Sequence, residues 1–125
     1  MKSTGNIGLI KNINKVIKIA RGKYILRMDA DDISETDRIE TQVNFMESNY
    51  DVAVAGSNGV IFLSDKPMIK KPTDFPLKYS EIKCKLLFES PIMHPSVIMR
   101  KNVLLENNYR YKDEYKDTED YELWM

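Results

Sequence analysis

Two groups of acidic residues carry the types and spacing that chemistry needs. The first is Asp29, Asp31 and Asp32, which follow the apolar run Tyr24-Ile25-Leu26-Arg27-Met28. Three carboxylates within four residues repel one another, and a hard cation neutralises them. Mg²⁺ takes one or two protein carboxylates and completes its shell with water and phosphate oxygens. In open α/β sheets ligands bind at the carboxyl ends of strands, so an Asp-x-Asp pair after a strand suits a cation on a diphosphate. A plain role fits as well: acids ahead of a helix complement its positive end and solvate a loop. Spacing leaves both open. An EF-hand loop is excluded, because its fifth and sixth positions fall on Ile33 and Ser34 instead of an oxygen ligand and glycine. A phosphatase with an aspartate nucleophile shares the opening Asp-x-Asp, but no later lysine and acidic pair completes it.

The second group is Glu119 and Asp120 in Thr118-Glu119-Asp120-Tyr121-Glu122-Leu123-Trp124. A carboxylate at a helix start acts as a general base when it points into a cleft. Asp117 or Thr118 as a cap, with acids in the first turn, is also ordinary helix-start chemistry. His94, the single histidine, has a site reading and a structural one. Arg27 shares a strand face with Asp29, where it can contact diphosphate or neutralise the acidic loop. Arg100 reads as a solvated strand end. Tyr109, Tyr111, Tyr115, Tyr121 and Trp124 offer an aromatic acceptor wall, with core packing as the alternative. Cys84 reads as a small buried residue.

The elements that position these groups follow from periodicity. Ile10, Ile13, Ile17 and Ala20 mark a helix over about 7–20, with Gly22 as its left-handed cap. A buried strand over 24–28 leads into the aspartates. A helix starts near Ser34, capped by Ser34 with Asp37, and presents Ile39, Val43 and Met46 on one face. Strands are expected over 51–55, 60–63 and 96–99. A proline-bearing loop is expected over 64–77. A helix is expected over 79–88, with Ile82, Leu86 and Cys84 inward, and a last helix from about Thr118. Helices interleaved with strands predict an α/β layered sheet.

Composition bounds the rest. The 125 residues hold 42% hydrophobic residues, and Leu, Ile, Val and Phe number 33, enough for one small core. Nineteen basic and nineteen acidic residues cancel, which argues against nucleic-acid binding through an overall field. A lone cysteine excludes an internal disulfide framework. No apolar run approaches a membrane span, and the first residues lack a signal-peptide core. The expectation is a soluble, cytoplasmic chain.

Taken together, the strings resemble family 2 of the nucleotide-sugar glycosyltransferases, in the bacterial group that builds surface polysaccharides. They are Asn6-Ile7-Gly8 with Asn14, Ala20 to Ile25, Arg27 to Asp32, Arg38 with Gln42, His94-Pro95-Ser96-Val97 with Arg100, and Glu119 to Trp124. The resemblance implies a single partial domain over 1–125. Its fold is the Rossmann-like A-type glycosyltransferase fold, a mixed sheet flanked by helices, here truncated. It implies inverting transfer from a nucleoside diphosphate sugar to a glycan or lipid-linked acceptor. Mg²⁺ or Mn²⁺ is then held by Asp31 with Asp29, Asp120 is the base and Glu119 its runner-up. Asn6, Gly8, Arg27, Asp29, Asp32 and His94 line the substrate site. Only five residues precede Asn6, so the family's first strand is absent, and the last helix stops at Met125. The expectation is a fragment with open sheet edges, able to pair as a homodimer and to work at the inner face of the membrane. The alternative is a non-catalytic remnant that binds a partner or pairs with itself.

Overall fold

The computed structural model describes residues 8–63, 66–115 and 117–125, and the backbone alone for 66–69. The elements in chain order are α1 (Leu9–Ile19), β1 (Tyr24–Leu26), α2 (Arg38–Ser48), β2 (Val54–Ala55), β3 (Val60–Leu63) and β4 (Lys66–Pro72). They continue with α3 (Tyr79–Lys85), β5 (Ile98–Arg100), α4 (Lys101–Glu106) and α5 (Glu119–Trp124). Single 3₁₀ turns lie at His94–Ser96 and Asp113–Tyr115.

The main sheet has the order β1-β5-β2. Strand β5 is antiparallel to both neighbours, pairing Ile25 with Met99 and Val54 with Met99. Strands β1 and β2 therefore run in the same direction, linked through α2. Being central, β5 is covered on both faces: Val97, Ile98 and Met99 are all buried. Val97 and Met99 face a core built with Ile10 and Ile17 of α1, Leu104 of α4 and Tyr111. Each such side chain contributes about 1.5–3 kcal/mol on burial. Ile98 and Arg100 alternate to the other face, where α2 lies.

The layered α/β expectation holds, and several local expectations are corrected. The segment expected as a loop contains β4, which pairs antiparallel with β3 in a separate hairpin, Val60 opposite Pro72 and Ile61 opposite Lys71. Both strands of a two-stranded ribbon are edges, so proline is tolerated there. Helix α1 ends on Ala20 in an extended conformation (φ −58°, ψ 141°), and Gly22 is not its left-handed cap. The positive φ of 84° belongs to Gly8, at the N-cap of α1. Ser34 does not cap α2; Asp37 holds the N-cap position without a side-chain bond. The inward residues of α2 are Gln42 and Met46, while Ile39 stays exposed. Helix α3 is shorter than expected, buries no residue and leaves Cys84 exposed.

Arg100 is a further correction: it is 7% exposed and not a solvated end. Its guanidinium donates to the carbonyls of Val52 (3.1 Å), Met46 (3.0 Å) and Asn49 (3.2 Å) and to the Tyr24 hydroxyl (3.2 Å). It thus satisfies carbonyls at the end of α2 that the helix leaves unpaired. Tyr24 in turn donates to Glu47 (3.0 Å), which Lys23 also holds at 2.7 Å. Lys23 keeps the Glu47 carboxyl below its usual range. This polar chain fixes the end of the sheet opposite the candidate site. No helix among the described residues is long and apolar enough to cross a membrane.

Candidate functional site

The antiparallel placement of β5 brings the carboxyl ends of β1 and β2 beside the amino end of β5. Arg27 continues the ladder one step past β1, its N–H donating to the Val97 carbonyl (3.0 Å). The aspartate loop and the His94–Ser96 turn consequently share one end of the sheet. Two polar side chains of α2 lock that corner. Arg38 donates to the carbonyls of Arg27 (2.7 Å) and Pro95 (3.0 Å), and Gln42 donates to that of Ser96 (2.7 Å). They pair backbone carbonyls where the ladder ends, which explains why this face of α2 is polar. Burial lowers the Arg38 pKa, and nearby Asp32 works against that shift.

Asp29 is gripped by Arg27 through both oxygens, at 2.8 and 3.1 Å. The Arg27 side chain is only 13% exposed, against 44% for Asp29. Of the two readings of Arg27, neutralising the acidic loop is the one this geometry displays. Asp31 and Asp32 are exposed, in a turn that the Asp32 N–H closes on the Asp29 carbonyl (3.3 Å). Asp31 makes no hydrogen bond or ion pair with the described residues.

His94 sits between these carboxylates and α5. Its Nε2 lies 2.9 Å from the Tyr111 hydroxyl, and its ring meets that of Trp124 edge-on at 6.1 Å. Tyr111 is 1% exposed. Its backbone is clamped by Asn14, which donates to the Tyr111 carbonyl (2.7 Å) and accepts from its N–H (3.1 Å). Burial is the main cause that lowers the His94 pKa, and Arg27 adds to it. Asp120, Glu119 and Asp29 pull the other way. Burial, with the same two α5 carboxylates, pushes the Tyr111 hydroxyl up. One imidazole therefore feels the aspartate loop and the α5 acids together.

Asp120 accepts a hydrogen bond from Ser90 (3.0 Å). Helix α5 is held further by Tyr121, which donates to the Leu86 carbonyl (2.5 Å), and by the Lys112–Glu122 pair. The predicted site residues divide accordingly. Arg27 and Asp29 pair directly, and His94 lies within electrostatic reach of both and of Glu119 and Asp120, while Asp31 and Asp32 stay exposed. Gly8 stands at the N-cap of α1, and Asn6 lies outside the described residues. The aromatic wall splits. Tyr111 and Trp124 pack by His94, Tyr121 is tied to Leu86, and Tyr109 and Tyr115 are exposed. Sequence reasoning missed Ser90, which no periodicity or motif marks. A groove of about 470 Å³ between α1 and the 104–114 segment is lined by Tyr111, Asp113 and Glu114 and includes none of Asp29, Asp31, Asp32, Glu119 and Asp120.

Among the described residues no three His, Cys, Asp or Glu side chains converge as a metal cage. The loop instead offers two exposed carboxylates, Asp31 and Asp32, beside Asp29, which Arg27 engages. That donor set fits a cation whose shell is completed largely by substrate oxygens.

The description "Glycosyl transferase family 2" matches residues 1–108. An uncharacterised glycosyltransferase of Methanocaldococcus jannaschii is 38% identical over 78% of this chain and 33% of its own length. An uncharacterised glycosyltransferase of Haemophilus influenzae is 34% identical over 95% of this chain and 39% of its own. The amylovoran biosynthesis glycosyltransferase AmsE of Erwinia amylovora is 30% identical over 96% and 44%. The chain thus spans less than half the length of these relatives. No solved structure matches. With the family match covering most of its length, the chain belongs to glycosyl transferase family 2.

Proposed function

We propose that the chain carries the diphosphate-binding loop and the base of an enzyme that transfers a sugar from a nucleoside diphosphate sugar. The acceptor is a glycan or lipid-linked hydroxyl in polysaccharide assembly, and the anomeric centre inverts. The supporting observation is that the His94 turn neighbours both acidic elements: the Arg27 N–H bonds the Val97 carbonyl with Arg27 holding Asp29, and the His94 ring meets Trp124 of α5 edge-on. Asp31, with Asp29, holds Mg²⁺ or Mn²⁺; the bound ion supplies Lewis acidity toward the leaving diphosphate. Arg27 orients Asp29 and adds positive charge beside the diphosphate. Asp120 takes the proton of the acceptor hydroxyl, with Ser90 fixing one of its oxygens, and Glu119 stands next to it. His94, whose protonated form burial disfavours, stands beside both acidic elements. Membership of the family and the AmsE likeness support the reaction class.

Calorimetric titration of the chain with UDP, with and without Mn²⁺, tests the reading. Metal-dependent binding that disappears in Asp31→Ala is expected. No heat in either protein, or equal binding in both, overturns it.

A further inference from the structure

The contact between Tyr111 and His94 determines where a proton sits. Tyr111 is 1% exposed. Its ring lies against that of His94 with centroids 5.4 Å apart, and its hydroxyl stands 2.9 Å from His94 Nε2. Among the described residues, that nitrogen is the one hydrogen-bond partner the hydroxyl has. Asn14 of α1 fixes the Tyr111 backbone through two bonds, so the phenol has little freedom to find another.

A neutral imidazole has one N–H and one bare nitrogen, and the bond made at one nitrogen decides the state of the other. Were Nε2–H to donate to the phenol oxygen, the Tyr111 O–H would be buried with no acceptor, an arrangement that folded proteins avoid. When Tyr111 donates to a bare Nε2, the hydroxyl is satisfied and the ring proton moves to Nδ1. Burial pushes the phenol pKa up, so the hydroxyl keeps the proton it donates. His94 Nδ1 has no partner among the described residues. The buried atoms left without a partner there are Glu122 Oε2 and Trp124 Nε1, so Nδ1, on a half-buried residue, stays open to water or a ligand oxygen. The charged groups acting on this ring are Arg27, Asp120, Glu119 and Asp29.

We infer that Tyr111 is a positioning residue: its hydroxyl holds His94 in the Nδ1–H form, and that N–H donates to an oxygen of the bound nucleoside diphosphate. The proton position stands on the geometry of the pair alone; the diphosphate as its acceptor rests on the transferase reading. In this role His94 gives a hydrogen bond and no proton, which leaves the proton of the acceptor hydroxyl to Asp120.

A long-range ¹H–¹⁵N correlation spectrum of the labelled chain tests the assignment, because His94 is the single histidine and gives one imidazole. At about pH 8 the ring is neutral. Nδ1 is expected at a pyrrole-type shift and Nε2 at a pyridine-type shift, the reverse of free histidine. Tyr111→Phe keeps the ring and removes the hydroxyl, so the ratio of Nδ1–H to Nε2–H should fall by roughly ten-fold. A parent spectrum of the Nε2–H form overturns the inference, and so does an unchanged ratio in folded Tyr111→Phe. Should that variant not fold, the parent spectrum alone decides. Saturating UDP with Mg²⁺ should then move the Nδ1 signal while Nε2 stays pyridine-type. UDP that binds by calorimetry yet leaves Nδ1 unmoved overturns the diphosphate contact and spares the transferase reading. The Nδ1–H form without any UDP binding upholds the role of Tyr111 and removes the transferase reading, and the diphosphate contact with it.

Discussion

Replacing Arg100 tests the account of the sheet most directly. The side chain is 7% exposed and spreads four hydrogen bonds over Val52, Met46, Asn49 and Tyr24. Arg100→Met keeps much of the stem volume and removes every donor. Hydrogen bonds to charged groups are worth about 1.5–3 kcal/mol each, but bonds within one network do not add. The carbonyls at the end of α2 also regain some water once the guanidinium is gone. A net loss of about 3 kcal/mol is expected, a large share of a domain stability of roughly 5–15 kcal/mol. With a urea slope of about 2 kcal/mol/M, the midpoint should fall by about 1.5 M. Arg100→Lys retains the charge, but its compact ammonium cannot reproduce the fork, and about 2 kcal/mol should still be lost. Urea unfolding followed by circular dichroism measures both. If both variants unfold within about 0.5 kcal/mol of the parent, Arg100 is not holding α2 to β5 and the reasoning fails.

Asn14→Ala breaks both bonds to the Tyr111 backbone; thermal or urea unfolding should show a loss of about 2 kcal/mol. Ser90→Ala removes the bond to Asp120; with Asp120 as the proposed base, transfer by the enzyme that carries this segment should slow by about three- to ten-fold while UDP binding in Mn²⁺ is unchanged, and a matching loss of nucleotide affinity would contradict the proposal. Gly56→Ala drives a Cβ to within 2.5 Å of Ile92 Cγ2; about 1–3 kcal/mol of destabilisation by overpacking should appear in the same unfolding assay. His94 titrates below its usual 6.5 because folding buries it. As pH falls through 6.5 the unfolded chain takes up the proton first, so stability drops there and levels off below the folded pKa. The slope of unfolding free energy against pH in that window should be smaller in His94→Gln, and an unchanged slope would count against a buried neutral imidazole.

The candidate site's residue types were easier to pick out of the sequence than the contacts that build the sheet. The aspartate loop, the preceding strand and the α5 acids announce themselves because their chemistry is local: residue types at fixed spacing beside an apolar run. What joins them is not local. Asn14 reaches Tyr111 across 97 positions and Gln42 reaches Ser96 across 54, and neither amide leaves a periodic trace. Arg100 misled for the same reason, since a terminal arginine looks solvated until α2 is known to pass over it. Ile39 and Cys84 misled in the opposite sense. Their helices spend the inward face on polar bonds or bury little, so hydrophobic type did not decide burial. The β4 strand was hidden by Pro67 and Pro72, which forbid a central strand but not one arm of a free ribbon.

Strand β5 is both the middle of the main sheet and, among the described residues, the last strand in the chain. Among the described residues neither β1 nor β2 has a strand partner besides β5, and the Tyr24–Arg100 pair joins residues 76 positions apart. The main sheet of the described residues is therefore closed by contacts distant in sequence, a slow class of pairing, and cleavage ahead of residue 98 would remove its central strand.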